Sequence, residues 1–286
     1  MKYEFRHTDL LADEGLHSLD RSCVDLVITS PPYNLGIDYG KFKDDAERGD
    51  FLTWMNRWMY QLSLVLKPHG SIFINIGSSP TNPMLPFQFV DRLITRNCLK
   101  LQNVFHWIKS ISIPDERVIS GYYQRGHFKP INSPRYVTDC HEYVFHITRT
   151  GEVPIHRKAI GVPYADQSNI KRWKDTAGEN LRCGGNNWFI PYETIQSRDK
   201  ERPHPATFPV ELARRCFMLH VGDITINGPE FPVLVLDPFV GIGNAAVGVG
   251  IAAAWRDEAG LETNFLGFDV NEEYLKYARS RFEIGS

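Results

Sequence analysis

The sequence contains no CxxC pair, no GxxxxGK[ST] phosphate loop and no Pro-Cys dipeptide. No window approaches the roughly 18 to 20 apolar residues that a membrane span requires. The longest run of small apolar residues, Ala245 to Trp255, is too short to span and reads as a buried helix. The five cysteines (Cys23, Cys98, Cys140, Cys183 and Cys216) are odd in number and widely spaced. That spacing argues against a disulfide scaffold and against a structural zinc, leaving free thiols in a reducing compartment and no metal. The opening MKYEFRHTDL lacks the apolar core of a signal peptide, so a cytoplasmic protein without a membrane partner is expected. Internal repeats and low-complexity tracts are also missing. A strong basic balance is absent too: the formal net charge is −2. From Lys109 to Arg182, however, 12 Lys and Arg face 8 Asp and Glu, so the middle of the chain is its basic part.

What is present is ordinary for a globular chain. With 286 residues, 42% of them hydrophobic and 23% charged, it forms one large α/β domain or a catalytic domain with an insertion. Strand-like runs at Val24 to Thr29, Ser71 to Ile76 and Gln102 to Ile108 alternate with helical spacing at Phe51 to Leu66 and Pro86 to Ile94. Lys67-Pro68-His69-Gly70 reads as a helix stop. From about Ser110 to Glu201 the pattern loosens, interrupted by one strand-like piece at Glu142 to Thr148. Alternation returns with helices at Val210 to Leu219, Asn244 to Trp255 and Asn271 to Phe282, and strands at Val233 to Leu236 and Asn264 to Phe268. Asn271 followed by Glu272 and Glu273 makes a helix N-cap with an acidic first turn. The pattern predicts a doubly wound α/β fold with a mixed, mostly parallel sheet.

Two segments carry chemistry. In VLVLDPFVGIGNAAVGVG, Asp237, Phe239, Gly241 and Gly243 lie between a strand and a helix. Glycines there let the backbone approach a ligand, and the helix start offers unpaired N–H groups. Asp269 follows 26 residues after Gly243, at the end of the next strand, where a carboxylate can accept both hydroxyls of a ribose. The glycine spacing also fits a relaxed dinucleotide fingerprint, so an NAD-dependent oxidoreductase, or a tight turn with no ligand, stays open. The second segment is Ser30-Pro31-Pro32-Tyr33, at the carboxyl end of the strand Val24 to Thr29. Two prolines remove N–H donors and leave carbonyl acceptors, Ser30 adds a hydroxyl, and Tyr33 offers a ring for stacking. Such a pocket suits an NH2 group on a planar heterocycle; the bland alternative is a rigid surface turn.

In content and order these segments resemble the amino-DNA methyltransferases of the β arrangement, whose catalytic motif precedes the cofactor motif. The cofactor motif here ends Gly-Ile-Gly-Asn where the family usually has Gly-Ser-Gly-Thr. Further matches are Asp9-Leu10 (bordering the adenine), His204 to Pro209 with Thr207 and Phe208 (cradling the methionine end), and Gly267-Phe268-Asp269 (the ribose acid). His106 to Lys109 and His141-Glu142-Tyr143 resemble lesser landmarks, with both histidines read as structural. The resemblance implies a Rossmann-like fold of permuted motif order and S-adenosyl-L-methionine as cofactor. Its implied substrate is an exocyclic amine of a base flipped out of double-stranded DNA and stacked on Tyr33. Serine at the first motif position is typical of cytosine-N4 enzymes and aspartate of adenine-N6 enzymes, so N4 of cytosine is expected, with adenine N6 or RNA as alternatives. Residues 1–110 and 188–286 are expected to form the catalytic domain and 111–187 the DNA-recognition insertion. Lys171, Arg172 and Lys174 around Trp173 read as phosphate contacts or as a solvated charge run, and Arg182, Asn186 and Asn187 as readers of base edges on a loop. A homodimer and a companion restriction endonuclease are partners this family allows. The helix Phe51 to Leu66 reads as core or as a dimer face.

Overall fold

The computed structural model describes residues 1–34, 36, 44–79, 82–126, 132–171, 180–191, 207–223 and 229–282. Ten strands are described among them: β1 (Lys2–His7), β2 (Val24–Thr29), β3 (Leu66–Ile76), β4 (Lys100–Ile108), β5 (Ile111–Pro114), β6 (Tyr122–Arg125), β7 (His141–Thr148), β8 (Asn187–Phe189), β9 (Val233–Asp237) and β10 (Thr263–Asp269). The α-helices are α1 (Arg48–Val65), α2 (Leu85–Asn97), α3 (Val210–Val221), α4 (Asn244–Glu258) and α5 (Glu272–Ser280). Eight strands form one sheet in the order β1-β10-β9-β2-β3-β7-β4-β8, and β5 and β6 form a separate antiparallel hairpin. Every pairing in the large sheet is parallel except those of β7 with β3 and β4. The expected mostly parallel α/β sheet is therefore what the chain builds. None of the described helices is long and apolar enough to cross a membrane.

Both faces of the sheet are covered, which is why all six residues of β2 (VDLVIT) are buried, the polar Asp25 and Thr29 included. Helices α3 and α4 pack with β2 and β9 in one core cluster, and α1 and α2 build the other. Along α1, Met55, Trp58, Met59 and Leu62 are fully buried at helical spacing. That assigns the helix to the core, where each such side chain contributes about 1.5–3 kcal/mol. The Asn271 side chain caps α5 by accepting from the Glu273 N–H at 3.1 Å, as the sequence implies.

Three features depart from the sequence reading. Strand β1 escapes it because its polar residues break the apolar run, although Tyr3 and Phe5 alternate with exposed Lys2 and Glu4. Residues 67–70 do not end a helix in a loop. They lie in β3, where the register against β2 jumps from Val24↔Leu66 to Leu26↔Ser71. A strand tolerates Pro68 at such an irregularity, and Lys67 is held there by Nζ donation to both Asp25 carboxylate oxygens at 2.8 Å. Finally, the span 111–187 is divided: β7 lies inside the main sheet, and β8 pairs with β4 at its edge.

One glycine in β10 is required by packing against the turn that follows β9. A Cβ on Gly267 would lie 2.8 Å from the Val240 side chain, whose N–H donates to the Phe268 carbonyl at 3.0 Å. Gly267→Ala is expected to cost about 1–3 kcal/mol of stability through overpacking, measured by urea unfolding, and to disturb the Val240 turn.

Candidate active site

Because β1, β10, β9, β2 and β3 run parallel, their carboxyl ends share one edge of the sheet. A cavity opens there, the position expected for ligands in open α/β sheets. Its walls include Asp9 and Leu10 after β1, Ser30 to Tyr33 after β2, Phe239 and Gly241 after β9, Asp269, and Thr207 with Phe208. The two segments singled out in the sequence thus face one space. Asp237 and Gly243 are not among the lining residues. Gly243 turns the chain into α4 at φ +82°, with Ala278 packed against it.

On one side the backbone organises carboxylates. Asp269 Oδ2 accepts from the Gly241 N–H at 2.9 Å and Oδ1 from the Asn271 N–H at 2.8 Å. Burial raises its pKa, and these bonds oppose the rise. The carboxylate keeps lone-pair capacity for a further donor. Asp9 Oδ1 accepts from the Leu11 N–H at 2.8 Å. Behind the wall, Asp237 Oδ1 accepts from Thr29 Oγ1 at 2.7 Å and from the Phe239 N–H at 3.0 Å. Complete burial pushes the Asp237 carboxyl up to about 7, with Asp269 adding to the rise against those two bonds. The Phe239 ring stands edge-on to Trp58 at 5.2 Å and to Trp54 at 5.7 Å. Asn244 ties the turn to its neighbours. Its Nδ2 donates to the Phe208 carbonyl at 2.7 Å and its Oδ1 accepts from Arg281 at 2.7 Å.

On the other side the order comes from side chains. Ser30 Oγ and the Tyr33 hydroxyl are 2.7 Å apart. Asn75 Nδ2 donates to the Tyr33 hydroxyl at 2.9 Å and to Glu142 Oε2 at 2.7 Å. Lys109 Nζ donates to Glu142 Oε1 at 2.7 Å. Asn75, Glu142, Trp54 and Trp107 line the cavity, and none was singled out as a site residue. A usable signal existed for Asn75, the lone amide inside the apolar run SIFINI. His106 and His141 lie outside the lining, packed around the Tyr143 ring at 5.4 and 5.0 Å. Burial, and then the neighbouring His106, lower the His141 pKa.

Of the suggested nucleic-acid contacts, those among the described residues do not line the cavity. Arg182 and Asn187 are exposed elsewhere, and the Asn186 amide donates to the Val104 carbonyl at 2.9 Å, holding β8 on β4. Arg172 to Lys174 and His204 to Ala206 lie outside the described residues, as does the Lys171 side chain.

Residues 24–280 match the model of the N6/N4 methyltransferase family, described as DNA methylase. The chain belongs to that family. The type II methyltransferase M.HpaI of Haemophilus parainfluenzae is 25% identical over 275 residues, 95% of this chain and 72% of that one. The DNA adenine methyltransferase YhdJ of Escherichia coli K12 is 24% identical over 284 residues, covering 98% and 82%. Among solved structures, the cytosine-N4-specific PvuII DNA methyltransferase superposes with a TM-score of 0.65 at 18% identity, over 99% of this chain and 86% of that one. The M1.HpyAVI–SAM complex gives 0.53 at 19% identity, over 98% and 99%. The chain is thus a DNA methyltransferase, and M1.HpyAVI, which shares its fold, is solved as a complex with SAM. The cavity fits S-adenosylmethionine: a half-buried carboxylate with lone-pair capacity to spare, a glycine turn and an aromatic wall share one edge.

The buried Asp237 gives a pH signature. With its folded pKa near 7 and an unfolded value of about 3.9, the native state holds the proton more tightly. Its contribution is full below the unfolded value and is lost as pH rises towards 7. Asp237→Asn, whose amide oxygen can still accept from Thr29 and Phe239, is expected to flatten this component. Thermal melts at pH 4.5 and pH 7 should show a smaller fall for the variant than for the wild type.

Proposed function

We propose that this enzyme transfers the methyl group to the N4 amine of a cytosine in duplex DNA. The observation that carries the proposal is Ser30 at the carboxyl end of β2, on the same cavity as the carboxylates that suit the cofactor. A neutral hydroxyl stands first in the Ser-Pro-Pro-Tyr segment, where resemblance associates aspartate with adenine N6. The likeness to the adenine enzyme YhdJ supports adenine N6 as the second reading.

In the proposed reaction, Asp269 and Asp9 hold the nucleoside end of S-adenosylmethionine, while Thr207, Phe208, Phe239 and Gly241 border it. When bound, that group supplies an electrophilic methyl on a sulfonium. Ser30 Oγ and the Pro31 carbonyl accept from the target amine, and Pro31 and Pro32 present no N–H to compete. The base stacks on the Tyr33 ring. A cavity set at the strand ends is beyond the reach of an amine still stacked in a duplex, so the base enters flipped. The amine is neutral and nucleophilic, so no covalent intermediate with the enzyme is needed. Acceleration comes largely from holding two reactants in register.

The recognition role expected of 111–187 falls, in this proposal, to its parts outside the sheet. The β5–β6 hairpin leaves the sheet beside Lys109 and exposes Arg117, Ile119, Tyr122, Tyr123 and Arg125. The type II methyltransferase M.HpaI supports placing the enzyme in a restriction–modification system.

Transfer of a labelled methyl group to mixed-sequence duplex DNA, followed by nucleoside mass spectrometry, tests the base. N4-methylcytosine is expected, and N6-methyladenine would overturn the assignment. Asp269→Ala is expected to weaken S-adenosylmethionine binding by about tenfold to a hundredfold, the scale of hydrogen bonds to a charged group. Ser30→Ala should instead lower kcat with cofactor affinity kept. Unchanged affinity in the Asp269 variant, measured by calorimetry, would remove its ribose role.

A further inference from the structure

The cluster behind Ser30 fixes the direction of its hydrogen bonds. Among the described residues, the Tyr33 hydroxyl, with its one proton, meets four polar neighbours. Asn75 Nδ2 donates to it at 2.9 Å, with the other amide proton going to Glu142 Oε2 at 2.7 Å. Two of the remaining neighbours are pure acceptors: the Asn75 carbonyl at 3.1 Å and the Glu142 carboxylate at 3.3 Å. The last is Ser30 Oγ at 2.7 Å, which alone of these four can take either role. If Tyr33 donated to Ser30, its oxygen lone pairs would face both pure acceptors with no proton between. The satisfied arrangement sends the Tyr33 proton towards Glu142 and the Asn75 carbonyl, and the Ser30 proton to Tyr33. Lys109 holds the far oxygen of Glu142 at 2.7 Å, leaving Oε2 for this duty. The Asn75 amide cannot turn over without setting its own oxygen against the carboxylate.

We infer that Glu142 is a positioning residue that makes Ser30 an obligate acceptor towards the cavity, acting through the Tyr33 hydroxyl. A serine hydroxyl alone is ambivalent, and pointing its proton at an incoming NH2 would oppose the amine. With its proton committed to Tyr33, both lone pairs of Ser30 Oγ are left for the amine. The chain of donation then runs from amine to Ser30 to Tyr33 to Glu142, with Lys109 donating from the far side. This gives the serine the polarity that a carboxylate would have outright. The inference rests on the proposed role of Ser30, and names what makes that role work.

The test is a double-mutant cycle on the full enzyme, reading kcat at saturating DNA and S-adenosylmethionine, with cofactor affinity measured by calorimetry. In Glu142→Gln, the amide oxygen must face Lys109, so its NH2 faces Tyr33 and reverses the chain. We expect kcat to fall about tenfold to a hundredfold, the scale of one hydrogen bond to a charged group, with cofactor affinity unchanged. In a Ser30→Ala background the same substitution should have no further effect on kcat, because the group it orients is gone. A merely structural role would give losses that multiply, and that result, or an undiminished kcat in Glu142→Gln, would overturn the inference. Should Glu142→Gln fail to fold, Tyr33→Phe keeps the ring, removes the relay, and is read against Ser30→Ala in the same way. Mass spectrometry of the product nucleoside separates the two readings. Methylation of adenine would overturn the cytosine assignment, while the cycle would still report whether Ser30 accepts from the amine.

Discussion

One buried hydrogen bond joins the two halves of the site. Thr29, the last residue of β2, donates through Oγ1 to Asp237, the last residue of β9, at 2.7 Å across 208 positions of sequence. The bond is short because β2 and β9 are neighbours in register, with Leu26 opposite Val235 and Val27 opposite Leu236. Ser30 begins immediately beyond one partner and Phe239 two residues beyond the other, so the proposed amine pocket and the proposed cofactor turn are set side by side. An isolated carboxyl would not remain there as an anion without expense, and its rise to about 7 expresses that. The Thr29 and Phe239 donors are what make the position tolerable.

The two sides of the cavity are held by different means. On the cofactor side, main-chain N–H groups of Leu11, Gly241 and Asn271 grip carboxylates, so the geometry follows from the backbone path of the turns. On the amine side the order resides in side chains drawn from four places: Ser30 and Tyr33, Asn75, Lys109 and Glu142. The antiparallel β7 makes that convergence achievable. The large sheet's other strands reach the cavity edge with their carboxyl ends, whereas β7 arrives there with its amino end. Its pairing sets Tyr143 opposite Ile76 on β3 and opposite His106 on β4. Glu142, one residue earlier, therefore emerges beside Tyr33 and Asn75.

Much of this was legible in the sequence, for identifiable reasons. Strands buried on both faces write themselves as apolar runs, and glycine or proline turns mark their carboxyl ends. The Ser-Pro-Pro-Tyr segment and the turn after Asp237 were therefore visible locally. The edge strand β1 was harder, because one face meets water and its apolar residues are only Tyr3 and Phe5. The run from Lys67 to Gly70 imitates a helix stop, and only pairing with β2 shows that it is an irregularity in a strand. Glu142 and Lys109 were visible as landmarks by resemblance, but their work depends on contacts 109 and 33 positions apart along the chain. Local pattern carries no record of such contacts. Asp237 was seen as a ligand residue, while its side chain is committed to Thr29 and the Phe239 N–H behind the wall.

The distribution of charge around the cavity bears on why a serine suffices. During methyl transfer to a neutral amine, positive charge appears on the nitrogen, which then loses a proton. A carboxylate in direct contact would favour that charge, but would also have to be desolvated when the base enters. Glu142 stands one tyrosine and one serine away, already paired with Lys109 and bonded by Asn75, so its desolvation is met within the folded protein. Under the proposed reaction, the polarity of that carboxylate reaches the amine through two hydroxyls that carry no net charge of their own. Hydrogen bonds in series polarise one another, so the arrangement supplies an acceptor at Ser30 without a carboxylate bonded directly to the amine. The arrangement holds only while each member has its partner, which makes the amine side of the site the more sensitive of the two to single substitutions.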